Sequence, residues 1–137
     1  MKITINDKRK IFAIQEEFSK IFPYLKIEFY AKPSKAGGTP SDKIIHNPSK
    51  LLGDCRTVHN SGTLTLNPKM TVGELKQSLR DTYDLSIEIF RKSGSKWLET
   101  TASDNWTLER QNSLGEEMQN PESQEIKFGN PPMTEER

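Results

Sequence analysis

The stretch ITINDKRKIFAIQEEFSKIFPYLKIEFYAK, residues 3–32, has a counterpart in LTLNPKMTVGELKQSLRDTYDLSIEIFRK, residues 64–92. At an offset of about 61, Ile3 falls on Leu64, Asn6 on Asn67, Lys8 on Lys69, Ile11 on Val72, Ile14 on Leu75, Phe18 on Leu79 and Phe22 on Tyr83. One residue is dropped after Phe22, and LKIEFYAK then lies over LSIEIFRK with Leu, Ile, Glu and Lys identical in place. Apolar positions matching in register along a whole helix, followed by a shared strand pattern, read as an internal repeat of a strand–helix–strand unit. A weaker continuation sets Ser41-Asp42 on Ser103-Asp104 and Leu52-Gly53-Asp54 on Leu114-Gly115-Glu116.

In the first unit, Ile3 and Ile5 alternate with polar residues as in a half-buried strand. Asp7 is placed to cap a helix whose apolar stripe is Ile11, Ile14, Phe18, Ile21 and Phe22, and Pro23 stops it. Leu25, Ile27 and Phe29 then face one way, and Lys26, Glu28 and Tyr30 the other. The second unit opens its helix with Thr71-Val-Gly-Glu74, a capping box flanked by Met70 and Leu75 as a hydrophobic staple. Its stripe of Val72, Leu75, Leu79 and Tyr83 leads into a strand bearing Leu85, Ile87 and Ile89. Ser93-Gly94 marks a turn, Lys96 to Thr100 a short strand paired back, and Trp106 to Asn112 a helical turn capped from Ser103-Asp104-Asn105. Glu125 to Phe128 alternates again as a last edge strand. The chain thus divides into a first βαβ repeat (1–31), a connecting loop (32–62) with a Pro, Ser and Gly cluster, a second βαβ repeat with hairpin and short helix (63–128), and a disordered tail (129–137), within one compact domain.

Two such units predict an α+β protein with an antiparallel or mixed sheet and two helices on one face. The simplest closure is the ferredoxin-like βαββαβ arrangement about a pseudo-two-fold axis. Residues 63–115 also resemble a ubiquitin-like β-grasp segment, in the TLTL strand, the TVGELKQSL helix, the turn before WLET and the TLERQ helical turn. The resemblance covers less than half of the chain and implies tandem β-grasp-like units as the alternative fold. It departs from the family in the near absence of a connection before Leu85, and Glu135-Glu136-Arg137 stand where conjugation would use a di-glycine. What it implies is a binding role without conjugation.

Charge and composition narrow the function. Lys and Arg number 20 against 19 Asp and Glu, a net charge of +1 that argues against a polyelectrolyte binder of nucleic acid. The balance is uneven along the chain: residues 1–60 hold 11 basic and 6 acidic residues, a net +5, and residues 61–137 hold 9 and 13, a net −4. The lone Cys55 forms no intramolecular disulfide. Apolar runs are too short for a secretory signal or a membrane span, so the expectation is a cytoplasmic protein in which the sequon Asn105-Trp106-Thr107 has no meaning.

Candidate sites are few. His46, Cys55 and His59, with Asp54 beside them, are ligand types for a transition metal, but H-x8-C-x3-H is no compact zinc signature, and no patterned group orients His59 as a base for Cys55. Ala36-Gly37-Gly38-Thr39-Pro40 with Lys43 lacks the order of a phosphate-binding loop. Glu16/Glu17 and Glu116/Glu117 read as solvated faces. The sequence therefore assigns no catalytic, cofactor or metal residue. Instead, if Ile27, Phe29, Ile87 and Ile89 face the helices, Glu28, Tyr30, Glu88 and Phe90 project together from the opposite face of the sheet. That face suits an unidentified protein partner or self-association through the sheet. Its carboxylates oppose phosphate, leaving a single-stranded nucleic-acid binding module as the alternative to a non-enzymatic protein-interaction module.

Overall fold

The structure, a computed structural model, describes residues 1–31 and 43–119. On β1 (Lys2–Ile5), Ile3 and Ile5 are buried while Lys2 and Thr4 are exposed, the alternation of a strand with one face on a core. The Asn6 side chain turns the chain by accepting the Lys8 amide at 3.0 Å. In α1 (Ile11–Ile21), Ile11, Ile14 and Phe18 are buried, and β2 (Leu25–Phe29) buries Leu25, Ile27 and Phe29. A 3-10 turn at Leu52–Cys55 precedes β3 (Gly62–Thr65), α2 (Val72–Tyr83), β4 (Ile87–Ser93) and β5 (Lys96–Glu99). A second 3-10 turn at Thr101–Ser103 leads into α3 (Leu108–Glu117). The capping box of α2 is formed: Thr71 Oγ1 accepts the Glu74 amide at 3.0 Å and Glu74 Oε1 accepts the Thr71 amide at 2.8 Å. Gly94, at φ +62°, supplies the left-handed residue of the tight turn between β4 and β5.

Strands pair between the two strand–helix–strand segments. β1 runs antiparallel to β3 with Ile3 opposite Leu64, and β2 runs antiparallel to β4 with Glu28 opposite Glu88; β5 extends this second sheet to the order β2-β4-β5. Around the two helix starts the backbone bonds match position for position. The Ile11 and Phe12 amides donate to Lys50 and Pro48 carbonyls at 2.9 and 3.0 Å, and the Val72 and Gly73 amides to Trp106 and Asp104 carbonyls at 3.1 and 2.8 Å. Leu52 and Gly53 return bonds to Arg9 and Asp7, as Leu108 and Glu109 do to Met70 and Pro68. First-turn amides have no acceptor in their own helix, so in both segments a later stretch crosses the helix start and supplies one.

All apolar faces meet in one core that runs from Ile3 on β1 to Leu108 on α3. Arg56 lies in it at 1% exposure. Its Nε and Nη2 donate to Asp7 Oδ1 at 3.0 and 2.8 Å and its Nη1 to the Tyr83 carbonyl at 2.9 Å, tying the end of β1 to the end of α2. At that helix end Asp84 takes the left-handed conformation, φ 54°, and its Oδ2 accepts from the Thr57 amide, the Thr57 hydroxyl and the Val58 amide at 2.8–2.9 Å. Partial burial pushes the Asp84 carboxyl up, but the Val58 and Thr57 bonds outweigh it and hold the pKa below the usual carboxylate range. Gln111 fastens α3, accepting from Arg91 Nη1 at 2.8 Å and donating to Ser103 Oγ at 2.8 Å.

Several expectations are corrected. The single sheet divides into two, because the first strands of the segments pair with each other antiparallel and leave β2 and β4 to form the core of a separate sheet. Asp7 does not cap α1: the cap position is Lys10, the crossing chain serves the first turn, and the Asp7 carboxylate is taken by Arg56. Leu52-Gly53 is matched in its hydrogen bonding by Leu108-Glu109, not by Leu114-Gly115. The last helix starts later and runs longer than the turn expected at Trp106 to Asn112, with Thr107 as its cap. Residues 43–62 of the connecting segment contribute buried Leu52, Cys55 and Arg56. The glycine-rich stretch 36–40, the strand expected at Glu125 to Phe128 and the tail 129–137 lie outside the described residues.

Two outcomes follow. A methyl group at Gly115 would stand 2.7 Å from Tyr24 Cβ and 3.1 Å from its carbonyl. Gly115→Ala therefore destabilises by about 1–3 kcal/mol in urea titration despite the better helix former; a raised midpoint would contradict the close approach of α3 to Tyr24. For Asp84 the folded-state pKa is depressed, so its stabilisation is present above the unfolded carboxylate value of about 4 and is lost as pH falls through the folded one. Asp84→Asn is less stable than the parent at neutral pH, and the gap closes in acid; an unchanged gap would show that the charge plays no part.

Candidate interaction surface

Because successive side chains alternate between faces, burial of Leu25, Ile27 and Phe29 leaves Lys26 and Glu28 on the outer face of β2. The register carries that face across the sheet: Lys26 lies opposite Phe90, Phe90 opposite Glu99, and Lys92 opposite Trp97. Lys26 Nζ is 5.4 Å from the Phe90 ring centre and 5.2 Å from that of Trp97, and Lys92 Nζ is 4.9 Å from Trp97. These are cation–π distances. Phe90, Trp97 and both lysines are half-buried, and the rings and their lysines form one partly exposed patch on the sheet.

The four residues singled out by the repeat have different surroundings. Glu28 and Glu88 are directly opposite, where like charges repel. The helices relieve the repulsion unequally. Glu28 accepts from Gln15 Nε2 of α1 at 3.0 Å and pairs with Lys26 at 3.2 Å, remaining half-buried. Glu88, only 4% exposed, lies 2.9 Å from Lys76 Nζ of α2 and accepts from Thr101 Oγ1 at 3.0 Å. Lys76 also reaches Asp104 at 3.1 Å. Burial works to lower the Lys76 pKa, but Glu88 and Asp104 overcome it and raise the value. Tyr30, at the far end of β2, bridges Ile44 and donates its amide to the Ser86 carbonyl at 2.9 Å. Phe90 alone of the four sits in the patch with Lys26, Lys92 and Trp97. Lys26, Lys92 and Trp97 were legible in the alternation of LKIEFY, IEIFRK and KWLE, but only the register between strands places them together.

The imidazoles and the thiol have separate settings. Cys55 is buried and its Sγ lies 3.4 Å from the Leu51 carbonyl, His46 is exposed, and His59 Nδ1 is 2.9 Å from Asp7 Oδ2. Hydrogen bonds from His59 and then Arg56 hold the Asp7 carboxyl below the usual carboxylate range. Among the described residues no group of three or more His, Cys, Asp or Glu could hold a metal ion, and no helix is long and apolar enough to cross a membrane. Comparison of the chain with protein-family models, curated proteins and solved structures finds no match.

Removing the cation from the buried pair tests the arrangement under the patch. Lys76→Met leaves Glu88 without its cation and destabilises by about 3–5 kcal/mol, while Lys76→Met with Glu88→Leu restores most of the loss. Urea titrations of the parent, single and double variants measure both. If the single variant costs no more than the double, Lys76 does not hold Glu88.

Proposed function

We propose that the chain is a duplicated strand–helix–strand unit serving as a non-enzymatic protein-interaction module, with the outer face of β2, β4 and β5 as its binding surface. The observation that carries this reading is the patch of Phe90 and Trp97 with Lys26 and Lys92, partly exposed on an otherwise well-packed protein. Aromatic rings are the residues that interface cores favour, and the lysine stems beside them add apolar area while their ammonium groups supply charge suited to a polar rim. Duplication is supported by the apposition of Ile3 with Leu64 and Glu28 with Glu88, each the counterpart of the other in the repeat, and by the matched bonds at both helix starts. The ubiquitin-like reading of residues 63–115 leads to the same class of function.

A protein fits this surface better than a nucleic acid. Glu28 and Glu99 flank the rings on the same face and would meet phosphate with like charge. The test compares the full chain with the Phe90→Glu/Trp97→Glu variant, folding of both being checked by circular dichroism. Expected is a stoichiometric protein partner, a second copy included, retained by the immobilised parent and reduced at least about tenfold by the variant, since aromatic anchors carry most interface energy. Equal retention by both proteins overturns the reading. So does salt-sensitive binding of a labelled single-stranded oligonucleotide by the parent.

A further inference from the structure

The two edges of the three-stranded sheet are treated differently. Tyr30 and Lys92 amides bond across β2 and β4, to Ser86 and Tyr24, so Leu25, Ile27 and Phe29 direct their backbone groups away from β4. That edge is filled: the three carbonyls accept from Ser19 Oγ at 3.0 Å, Gln15 Nε2 at 2.9 Å and the Ile45 amide at 2.8 Å. At the other edge the Thr100 amide donates to the Ile89 carbonyl at 3.1 Å, so the even residues of β5 face β4. Trp97 and Glu99 therefore turn their amides and carbonyls outward, beside Leu98 at 42% exposure. A strand edge of this kind is a template for another strand.

We propose that this edge pairs with β5 of a second copy, antiparallel about a two-fold axis at Leu98, giving one continuous six-stranded sheet. The proposal rests on the reading of this sheet as an interaction surface and names the partner. Register is limited by parity, because only residues that both point outward can exchange hydrogen bonds. An axis at Glu99 would set the two Glu99 carboxylates against each other, and one at Trp97 would set exposed Leu98 against Lys96. The axis at Leu98 stacks Leu98 on its copy and sets Trp97 opposite Glu99 on both sides. On the outer face, Glu99 then lies against the Trp97 ring that Lys92 of the same second copy covers, so opposite charges face each other across it. Between described residues no ion pair engages Glu99 or Lys92 in the single chain. A self-complementary patch repeated by a two-fold axis closes the assembly at a dimer.

The full chain is examined by sedimentation from micromolar to millimolar concentration, with amide exchange read at Trp97 and Glu99. Expected are a monomer–dimer equilibrium, protection of both amides that rises with concentration, and loss of the dimer in Leu98→Lys. Leu98→Cys cross-links under mild oxidation, since directly opposed residues not exchanging hydrogen bonds have Cα atoms about 4.5 Å apart, within disulfide range. Lys96→Cys does not, and the parent with its buried Cys55 is the control. A monomer at every concentration, protection independent of concentration, or cross-linking of Lys96→Cys as fast as Leu98→Cys overturns the proposal. A monomeric parent that still captures a different protein through Phe90 and Trp97 refutes the second copy while leaving the outer face as a binding surface.

Discussion

Backbone groups of short strands need partners, and here the two strand–helix–strand segments supply them to each other. Neither β1 nor β2 pairs within its own segment: β1 takes β3, and β2 takes β4. An isolated segment of this length would be at best marginal, so the core forms only when both are in place. The registers that result put Ile3 on Leu64 and Ile27 on Ile89, and these place the apolar stripes of α1 and α2 around one interior. The crossing stretches at Pro48–Lys50 and Asp104–Trp106 repeat the same economy, completing the first turn of each helix from outside it.

The same pairing brings Glu28 against Glu88 and obliges the fold to neutralise them. Position 15 on α1 and position 76 on α2 stand over the pair, as Gln15 and Lys76. A neutral amide leaves Glu28 half-exposed and free to pair with Lys26, whereas an ammonium group draws Glu88 under cover with Asp104 and Thr101. A buried ion pair adds little net stability beside an apolar substitute, but once formed it is costly to break on one side.

The surface features separate along similar lines. Among the described residues, the β2 edge is closed by side chains of α1 and by the Ile45 amide, and the β5 edge keeps outward backbone groups beside an exposed leucine. Asp7 joins Arg56 and His59 of the connecting segment in a cluster at the end of α2, while Cys55 and His46 lie apart from it. His59 lies 2.9 Å from the Asp7 carboxylate that also accepts from the buried Arg56 guanidinium.

Much of the local structure was legible in the residues themselves. The capping box of α2, the alternation of β1, β2 and β4, and the hairpin at Gly94 rest on interactions within a few positions, which the sequence contains in full. Sheet number and edge exposure were not legible, because alternation defines which side chains share a face but not which strand lies beside which. For the same reason Phe90 could be placed on the outer face by counting, while its neighbours Lys26 and Trp97 came from the register. Glu88 looked equivalent to Glu28 until α2 lowered a lysine onto it, and Asp7 looked like a cap until a residue 49 positions away, Arg56, claimed its carboxylate. The sequence by itself determined the elements and their inward faces, since those depend on neighbours along the chain; the tertiary structure alone decided pairing, burial of charge and the open edge, since those depend on contacts between distant residues.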